Sequence, residues 1–198
     1  MRVIVIDHFD SFTNNMVDLL RILGARVFMI RSNASLKQVE KLRPTHIVLS
    51  AGEGHPKKVL LFQEMLNRYK AFLPILGICL GEQAIGMGFG AVIARGKRIM
   101  HGKSSVIYHN GEGIFSGIKD RFVAQRYHSL VVARGSLASK TLRQTARTSD
   151  GTIMGIESVK YPHVVGVQFH PESYFTEYGS EIFANFLKLR VTTRSDTK

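Results

Sequence analysis

Apolar residues recur with two different periods along the first half of the chain. Short, nearly continuous apolar runs are typical of buried parallel strands, and they lie at 2–7, 26–30, 46–49 and 74–79. Between these runs, apolar residues recur at helical spacing, over 14–23, 36–42, 57–70 and 80–89. Because strands that alternate with helices form parallel sheets, the pattern predicts an α/β fold: an open, mostly parallel, twisted sheet with helices on both faces.

The pattern changes after residue 90. Short β-rich stretches now alternate with polar turns, which predicts a short antiparallel β excursion. These stretches lie at 91–94, 104–108, 121–124, 130–133 and 151–157. A core strand returns at 163–169, and 178–189 is a closing amphipathic helix. We expect a single domain over 1–189 and a frayed C-terminal tail over 190–198.

Composition narrows the class of protein. The 198 residues are 44% hydrophobic, which excludes disorder of the whole chain and allows one sizeable core. A membrane span needs about 18 consecutive apolar residues, and neither such a run nor a charged-then-apolar leader occurs. A single cysteine, Cys79, forbids an internal disulfide. We therefore expect a soluble, cytoplasmic protein with no membrane partner.

The charge is concentrated in one segment. The chain has 27 Lys and Arg against 15 Asp and Glu, a net charge of +12, and residues 90–147 alone hold 11 basic and 2 acidic side chains. Clustered Lys and Arg can neutralise phosphates, but no recognisable nucleic-acid-binding motif accompanies them. We interpret the segment as a solvated surface or a face for an acidic partner, and we expect no nucleic acid.

Cys79 occupies a turn with the form glycine-x-nucleophile-x-glycine, between a predicted strand and a predicted helix. This context is the one that a nucleophile elbow requires, with Gly77 and Gly81 leaving room for a sharp turn. The helix N-terminus favours a thiolate, and the N–H of Leu80 could help to stabilise an oxyanion. A buried structural cysteine is the alternative interpretation.

A nucleophilic cysteine needs a base and a group that orients it. His170 follows a predicted core strand, and Pro171 disfavours a helix there, so His170 and Glu172 can share one face. The pair would complete a Cys-His-acid arrangement with Cys79. A histidine with an ordinary structural partner is the alternative. The loop over 51–56, with Gly52 and Gly54, could turn backbone N–H groups toward the same sheet edge, although an ordinary turn explains it equally well.

Six segments together resemble one family. The chain is similar to class I glutamine amidotransferases, and specifically to the small glutaminase subunits (component II) of anthranilate synthase and aminodeoxychorismate synthase. The resemblance covers residues 3 to about 189. The matching segments are VIDHFDSFTNN, LSAGEGHP, PILGICLGEQAIG, IMHGKSSVIYHNGEGIF, RYHSLVV and GVQFHPES.

The resemblance implies that Cys79 attacks the side-chain amide of L-glutamine, with His170 moving protons and Glu172 orienting it. Ammonia would then pass to a chorismate-using synthase subunit (component I) in a hetero-oligomer. No metal or organic cofactor is implied for this chain, and Mg²⁺ would belong to the partner. The remaining implied roles are oxyanion stabilisation by Gly52 and Leu80, glutamine binding by Gly54, Gln83, Ser129 and Leu130, and contact with the partner by Asp10, Ser11, Phe12 and Thr13.

Three positions depart from the family's usual residues. Residues 51–54 read AGEG where the family reads PGPG, Glu82 replaces a histidine, and His8 replaces an asparagine. We expect a lone subunit that is a weak glutaminase until its partner orders the loop. We also expect a carboxylate at Glu82 to disfavour the Cys79 thiolate.

The same resemblance leaves other functions open. A glutaminase for another acceptor, a free-standing γ-glutamyl hydrolase and a catalytically weakened interaction module of the same fold are the alternatives. In all of them the basic middle segment is interpreted as surface charge. We therefore expect that charge reversal at Arg134, Lys140, Arg143 and Arg147 leaves glutamine chemistry intact.

Overall fold

Eleven strands and five helices form the regular structure of residues 1–138 and 140–192, the part of the chain that this computed structural model describes. The strands are β1 (Arg2–His8), β2 (Arg26–Arg31), β3 (His46–Gly52), β4 (Ile75–Ile78), β5 (Ile93–Arg95), β6 (Lys103–His109), β7 (Arg121–Arg126), β8 (Leu130–Val132), β9 (Leu142–Arg147), β10 (Ile153–Ser158) and β11 (Val164–Val167). The helices are α1 (Thr13–Ile22), α2 (Leu36–Lys41), α3 (Leu60–Tyr69), α4 (Leu80–Gly88) and α5 (Gly179–Lys188).

One nine-stranded sheet organises the fold, in the order β2-β1-β3-β4-β11-β10-β9-β6-β7. The first five strands are parallel, and every later pair is antiparallel. Strands β5 and β8 form a separate antiparallel pair. The predicted α/β class is therefore confirmed, and most of the predicted antiparallel excursion extends the main sheet.

The apolar runs form strands because both faces of the parallel half are covered. Along β1, Val3 and Val5 point into a core with α1 and α5, whereas Ile4 and Ile6 point into a second core with α2, α3 and α4. All four side chains are fully buried. This alternation follows from the two-residue period of a strand, and it explains why polar residues are rare in the run.

Three segments differ from the prediction, because pairing or backbone chemistry overrides the local pattern. The predicted helix over 57–70 begins as a 3₁₀ turn, Pro56–Lys58, before α3 starts at Leu60. Strand β3 continues to Gly52, into the predicted loop, because Gly52 pairs with His8 of β1. The strand β9 was not predicted at all, since only Leu142, Thr145 and Ala146 of its six residues are buried.

The end of the chain lies against the core as far as it is described. The guanidinium of Arg190 donates to the carbonyls of Lys188 and Leu189 at 3.3 and 3.1 Å, and the N–H of Thr192 donates to Nδ1 of His163 at 3.2 Å. The rest of the predicted tail, 193–198, lies outside the described residues. Within residues 1–138 and 140–192, no helix is long and apolar enough to cross a bilayer.

Candidate active site

Cys79 forms the sharp turn between β4 and α4, with φ at +50° and ψ at −100°. Such a backbone is strained for a residue with a side chain and costs about 1–3 kcal/mol. Gly77 and Gly81 permit the turn: a Cβ on Gly77 would lie 2.4 Å from the carbonyl of Gly81, and one on Gly81 would lie 2.2 Å from the carbonyl oxygen of Leu49. The turn has the strand-to-helix geometry that the glycine spacing predicts.

His170 and Glu172 follow β11 and form a buried pair. The two residues are 2% and 3% exposed, and His170 Nδ1 lies 2.6 Å from Glu172 Oε1. The backbone of His170 is fixed on both sides, because its N–H donates to the carbonyl of Gln125 at 3.0 Å and its carbonyl accepts from Thr176 Oγ1 at 2.7 Å. The Glu172 carboxylate therefore orients the imidazole of His170, and two hydrogen bonds hold the backbone of His170 in place.

The environment of His170 favours its protonated form. Burial lowers the pKa of His170, but the charge and hydrogen bond of Glu172 and the nearby Cys79 side chain outweigh burial and hold that pKa well above its usual value. Within the described residues, Nε2 makes no hydrogen bond of standard geometry, although the Cys79 side chain is near enough to raise the pKa. Nε2 is thus the nitrogen available to exchange a proton with the thiol.

A cavity of about 180 Å³ opens beside Cys79. It contains every residue that the sequence predicted for the oxyanion and the substrate: Gly52, Gly54, Leu80, Gln83, Ser129 and Leu130. Three residues that were not predicted also line it, namely Glu53, Tyr127 and His128. His170 and Glu172 do not line this cavity, but Tyr127 lines it and packs edge-on against His170, with ring centroids 5.1 Å apart.

Gln83 has a fixed orientation at the wall of the cavity. Its Nε2 donates to the carbonyl of Leu130 at 3.0 Å and to Oε1 of Gln168 at 2.9 Å. Because both amide hydrogens are used, the side chain cannot rotate without losing buried hydrogen bonds. This arrangement ties helix α4 to strand β8 across the cavity.

His8 packs against the glycine loop, residues 51–56. A Cβ on Gly52 would lie 2.6 Å from the carbonyl oxygen of His8 and 2.8 Å from its Cδ2. The N–H of His8 donates to Ser50 Oγ at 2.9 Å, and its ring nitrogen Nδ1 lies 2.7 Å from Ser32 Oγ. The histidine that replaces the family's usual asparagine therefore packs against the loop and is held there by two hydroxyl groups.

The predicted partner-facing stretch is divided between surface and interior. Ser11 is exposed, and Asp10 and Phe12 are half-buried, but Thr13 is 2% exposed and donates its hydroxyl to Asp7 at 2.8 Å. The Thr13 side chain therefore lies in the interior of the chain, and contact of this stretch with a partner stays a prediction. Phe12 instead connects the surface with the site, because its ring packs edge-on against His170 at 5.9 Å.

Asp10 lies close enough to the histidine–glutamate pair to respond to its charge. Burial raises the pKa of Asp10, His170 lowers it and Glu172 raises it again, with a net increase. A protein that contacted Asp10 and Phe12 would therefore act on the immediate surroundings of His170.

The expected effect of Glu82 on the thiolate is not supported. Glu82 is fully buried against Gly166 of β11, and neither carboxyl oxygen has a hydrogen-bond partner among the described residues. Burial raises the pKa of Glu82 well above its usual value, which favours the neutral acid. A neutral side chain that does not line the cavity carries no charge to oppose a thiolate.

Two of the three lining residues that were not predicted lie in one quoted motif, and the third, Glu53, lies in the loop over 51–56. Tyr127 and His128 belong to the segment RYHSLVV, of which only Ser129 and Leu130 had been assigned a role. Their aromatic character beside two assigned residues was the available signal. Only the tertiary structure shows that both line the cavity and that the ring of Tyr127 also packs against His170.

Comparisons with known proteins identify one family. The family model of class-I glutamine amidotransferases matches residues 4–189. The bifunctional protein TrpGD of Thermotoga maritima is 45% identical over 96% of this chain, which spans only 32% of that protein. The aminodeoxychorismate/anthranilate synthase component 2 of Bacillus subtilis is 40% identical, over 94% of this chain and 95% of its own length.

A solved structure supports the fold. A protein of Thermoplasma acidophilum, provisionally named as part of a GMP synthase, superimposes with a TM-score of 0.83 and 25% identity. The match covers 94% of this chain and 92% of that one. The fold is therefore shared over nearly the full length of both chains.

Proposed function

The chain belongs to the class-I glutamine amidotransferase family, and we propose that it is the glutaminase subunit of a chorismate-using synthase. The observation that carries the proposal is the strained Cys79 turn beside a cavity, with a buried His170–Glu172 pair next to it. Similarity to a component 2 protein over nearly its whole length supports the chorismate-using partner.

The first half of the reaction would release ammonia. Protonated His170 holds the proton that Cys79 gives up, and the thiolate Sγ attacks the amide carbon of glutamine to give a tetrahedral oxyanion. The N–H of Leu80, at the first position of α4, has no intrahelical acceptor and can donate to that oxygen together with Gly52. The C–N bond then breaks as His170 returns its proton to the leaving nitrogen, which leaves a glutamyl thioester.

The second half would restore the cysteine. His170 takes a proton from water, and the resulting hydroxide attacks the thioester carbonyl. The C–S bond then breaks to give the Cys79 thiolate beside protonated His170, and the new carboxyl group releases its proton to solvent as glutamate. Glu172 holds the imidazole in one orientation through both halves, at a distance of 2.6 Å. Gly54, Gln83, Ser129 and Leu130 would hold the glutamine, since they line the cavity beside Sγ.

The edge of the sheet beside the site suits a partner subunit. Phe9, Tyr174 and Phe175 are 62%, 93% and 66% exposed, and they follow β1 and β11 at the edge where Cys79 follows β4. Exposed aromatic side chains at one edge of a sheet are typical of protein interfaces. We name these three residues the aromatic rim and propose that the synthase subunit covers it.

The proposal extends to cofactors and to regulation by the partner. We assign no cofactor to this chain and place the Mg²⁺ of the synthase reaction on the partner. The glycine loop lacks the family's usual prolines, and Glu53 and Gly54 are exposed. We therefore propose that contact with the partner orders the loop and raises a weak basal glutaminase activity.

Co-expression with candidate component I subunits tests the proposal. We expect a co-purifying synthase and formation of anthranilate or aminodeoxychorismate from chorismate with glutamine as the nitrogen source. In a complex with Cys79→Ser, glutamine should no longer support synthesis, whereas ammonium salts still should, because only the glutaminase step is lost.

Other outcomes would identify the alternatives. Turnover of γ-glutamyl peptides by the lone chain, with no response to any chorismate-binding subunit, would contradict the proposal and indicate a γ-glutamyl hydrolase. Failure of a glutamine-analogue electrophile to label Cys79, even in the complex, would indicate an interaction module without catalysis.

A further inference from the structure

A second cavity, of about 750 Å³, opens where β6 begins and β7 ends. Neither Cys79, His170 nor Glu172 lines it. Its charged lining is strongly basic, with four cationic side chains and one carboxylate among the described residues. These are Lys97, Arg98, Lys103, Arg126 and Asp150.

Asp150 forms no direct ion pair with these cations in the described part of the chain. Its Oδ1 accepts hydrogen bonds from the hydroxyl of Thr148 at 2.5 Å and from the N–H and hydroxyl of Thr152 at 3.1 and 2.8 Å. These hydrogen bonds lower the pKa of Asp150 to about 2, so it is ionised but occupied by its own turn. Asp150 forms no ion pair within 4 Å in the described part of the chain, and its charge acts on Arg126 only from a greater distance.

Arg126 lies at the base of the cavity and lacks a negative partner in direct contact. It is 7% exposed, and its guanidinium donates Nε–H to His128 Nε2 at 3.0 Å and Nη1–H to Ser105 Oγ at 2.9 Å. A guanidinium has five N–H donors, so three have no acceptor among the described residues. No carboxylate of residues 1–138 and 140–192 forms an ion pair with it.

Both groups that accept from Arg126 are neutral. Ser105 offers a hydroxyl, and burial together with the charge of Arg126 lowers the pKa of His128 to about 3. Burial of a charge is costly unless an opposite charge or several hydrogen bonds compensate it. An oxyanion would supply the negative charge that Arg126 lacks in direct contact, because two of its oxygens can accept two parallel hydrogen bonds from a guanidinium.

We propose that this cavity, the Arg126 cavity, binds a small molecule that bears an oxyanion group, either phosphate or carboxylate. Arg126 would donate to the oxyanion from below, and the exposed Lys97, Arg98 and Lys103 would attract it at the mouth. The volume is in the range of small-molecule sites, about 300–1,000 Å³, and much larger than one carboxylate side chain needs. Size therefore favours a free ligand over a single acidic side chain of a partner.

A single residue, His128, connects the Arg126 cavity with the cavity beside Cys79. His128 accepts from Arg126 at Nε2, which places the ring proton on Nδ1, and Nδ1 donates to the carbonyl of Leu130 at 3.0 Å. His128 and Leu130 both line the cavity beside Cys79. Occupancy should consequently change the KM for glutamine; this consequence, unlike binding itself, rests on the proposed function.

Calorimetric titration of the full chain with inorganic phosphate and pyrophosphate, at low and constant ionic strength, tests binding directly. We expect saturable binding of one anion per chain, weakened about tenfold or more in Arg126→Gln because a charge-assisted hydrogen bond is lost. Lys188→Gln, on the exposed end of α5, is the matched control and should bind like the natural chain. Titration with sodium chloride excludes a general salt effect.

Variants that preserve the fold keep the test decisive. If Arg126→Gln unfolds, Lys103→Gln and Ser105→Ala should each weaken binding severalfold while thermal melting stays unchanged. The proposal would be overturned if no saturable binding occurred in the millimolar range. It would equally be overturned if the Lys103→Gln and Ser105→Ala variants bound the anion as tightly as the natural chain does. It would also be overturned if no anion bound but Lys103→Gln lost the synthase subunit, since the cavity would then receive a carboxylate of the partner.

Discussion

At the scale of single residues, the site depends on two glycines, Gly77 and Gly81, which have no side chain to obstruct the cysteine turn. The cysteine turn brings the backbone of α4 against β3 and β4 so closely that Gly77 and Gly81 have no room for a methyl group. Close contact of this kind fixes the position of Sγ, because the turn cannot relax without separating the helix from the sheet.

Gly81→Ala should therefore lower the free energy of unfolding by about 3 kcal/mol, the upper range for overpacking in a core. The added Cβ would lie 2.2 Å from the carbonyl oxygen of Leu49. Urea unfolding measures the loss. Gly135→Ala is the control, since Gly135 has nothing within 4 Å of an added Cβ, and it should change stability by less than about 0.5 kcal/mol. Equal effects of the two substitutions would contradict the steric explanation.

Glu172→Gln tests the orientation of His170. The amide keeps the shape of the side chain but removes the charge that holds the pKa of His170 high. We expect kcat for glutamine hydrolysis to fall by about 10²- to 10⁴-fold, with little change in KM, because the glutamine-binding residues lie in a cavity that Glu172 does not line. Steady-state kinetics of the complex decide this. A loss confined to KM would assign Glu172 to substrate binding instead.

Glu82 should make stability fall as pH rises. In the unfolded chain its carboxyl loses a proton near the ordinary value of 4.5, whereas burial keeps it protonated to higher pH in the folded chain. Between those two values the folded state binds more protons, so each pH unit costs about 1.4 kcal/mol. Glu82→Gln removes this dependence, and its stability relative to the natural chain should increase steadily above pH 4.5 in urea unfolding. A constant difference between the two proteins would show that Glu82 is ionised when folded.

At the scale of elements, strand β9 changes the interpretation of the basic segment. Its Arg143 lies 2.7 Å from Glu112 and 2.8 Å from Glu157, and the Glu157 side chain is 4% exposed. Arg134 packs over Gly151, and Arg147 lies 5.3 Å from the ring centroid of Tyr108. Of the four residues that were expected to be surface charges, Arg134, Lys140 and Arg147 are exposed, whereas Arg143 is half-buried and pairs with a buried carboxylate.

Arg143→Gln should consequently destabilise the protein by about 3 kcal/mol, because it leaves the buried Glu157 without this cation. Lys140→Gln, next to β9 and exposed, should have almost no effect. Thermal and urea unfolding of the two variants provide the comparison. If Arg143→Gln were as stable as Lys140→Gln, the segment would be solvated surface as the sequence suggested.

At the scale of the whole molecule, the two edges of the parallel sheet have different tasks. The edge where the parallel strands end holds Cys79, His170 and the aromatic rim. The opposite edge also exposes an aromatic side chain, Phe72, which is 63% exposed just before β4 begins. The difference in position, rather than in exposure, should decide which aromatic residues bind a partner.

Replacing Phe9, Tyr174 and Phe175 together by serine should weaken binding to the synthase partner by about a hundredfold or more, since buried aromatic anchors dominate interface energies. Basal glutaminase activity of the lone chain should persist. Phe72→Ser is the control and should bind the partner normally. Analytical ultracentrifugation or a pull-down with the purified synthase measures binding, and equal binding by both variants would exclude the aromatic rim as the interface.

The sequence alone determined the features that depend on neighbouring residues. The apolar runs and helical spacing were sufficient for the α/β class, because burial on both faces of a parallel sheet excludes polar residues from its strands. The spacing of Gly77, Cys79 and Gly81 was sufficient for the turn, since only glycine fits at both flanking positions. The separation of His170 and Glu172 likewise allowed their pairing, which the 2.6 Å contact shows.

Only the tertiary structure decided what depends on contacts between distant segments. Strand β9 has too few apolar residues to be predicted and exists because β10 and β6 supply its hydrogen bonds. Glu82 favours its neutral form because β11 buries it, and Arg126 becomes an unpaired cation because β6 and β7 enclose it beyond ion-pair distance of any carboxylate in the described chain. Burial and the choice of partner are properties of the packed molecule. They decide that Glu82 favours its neutral form and that Arg126 has no carboxylate in direct contact.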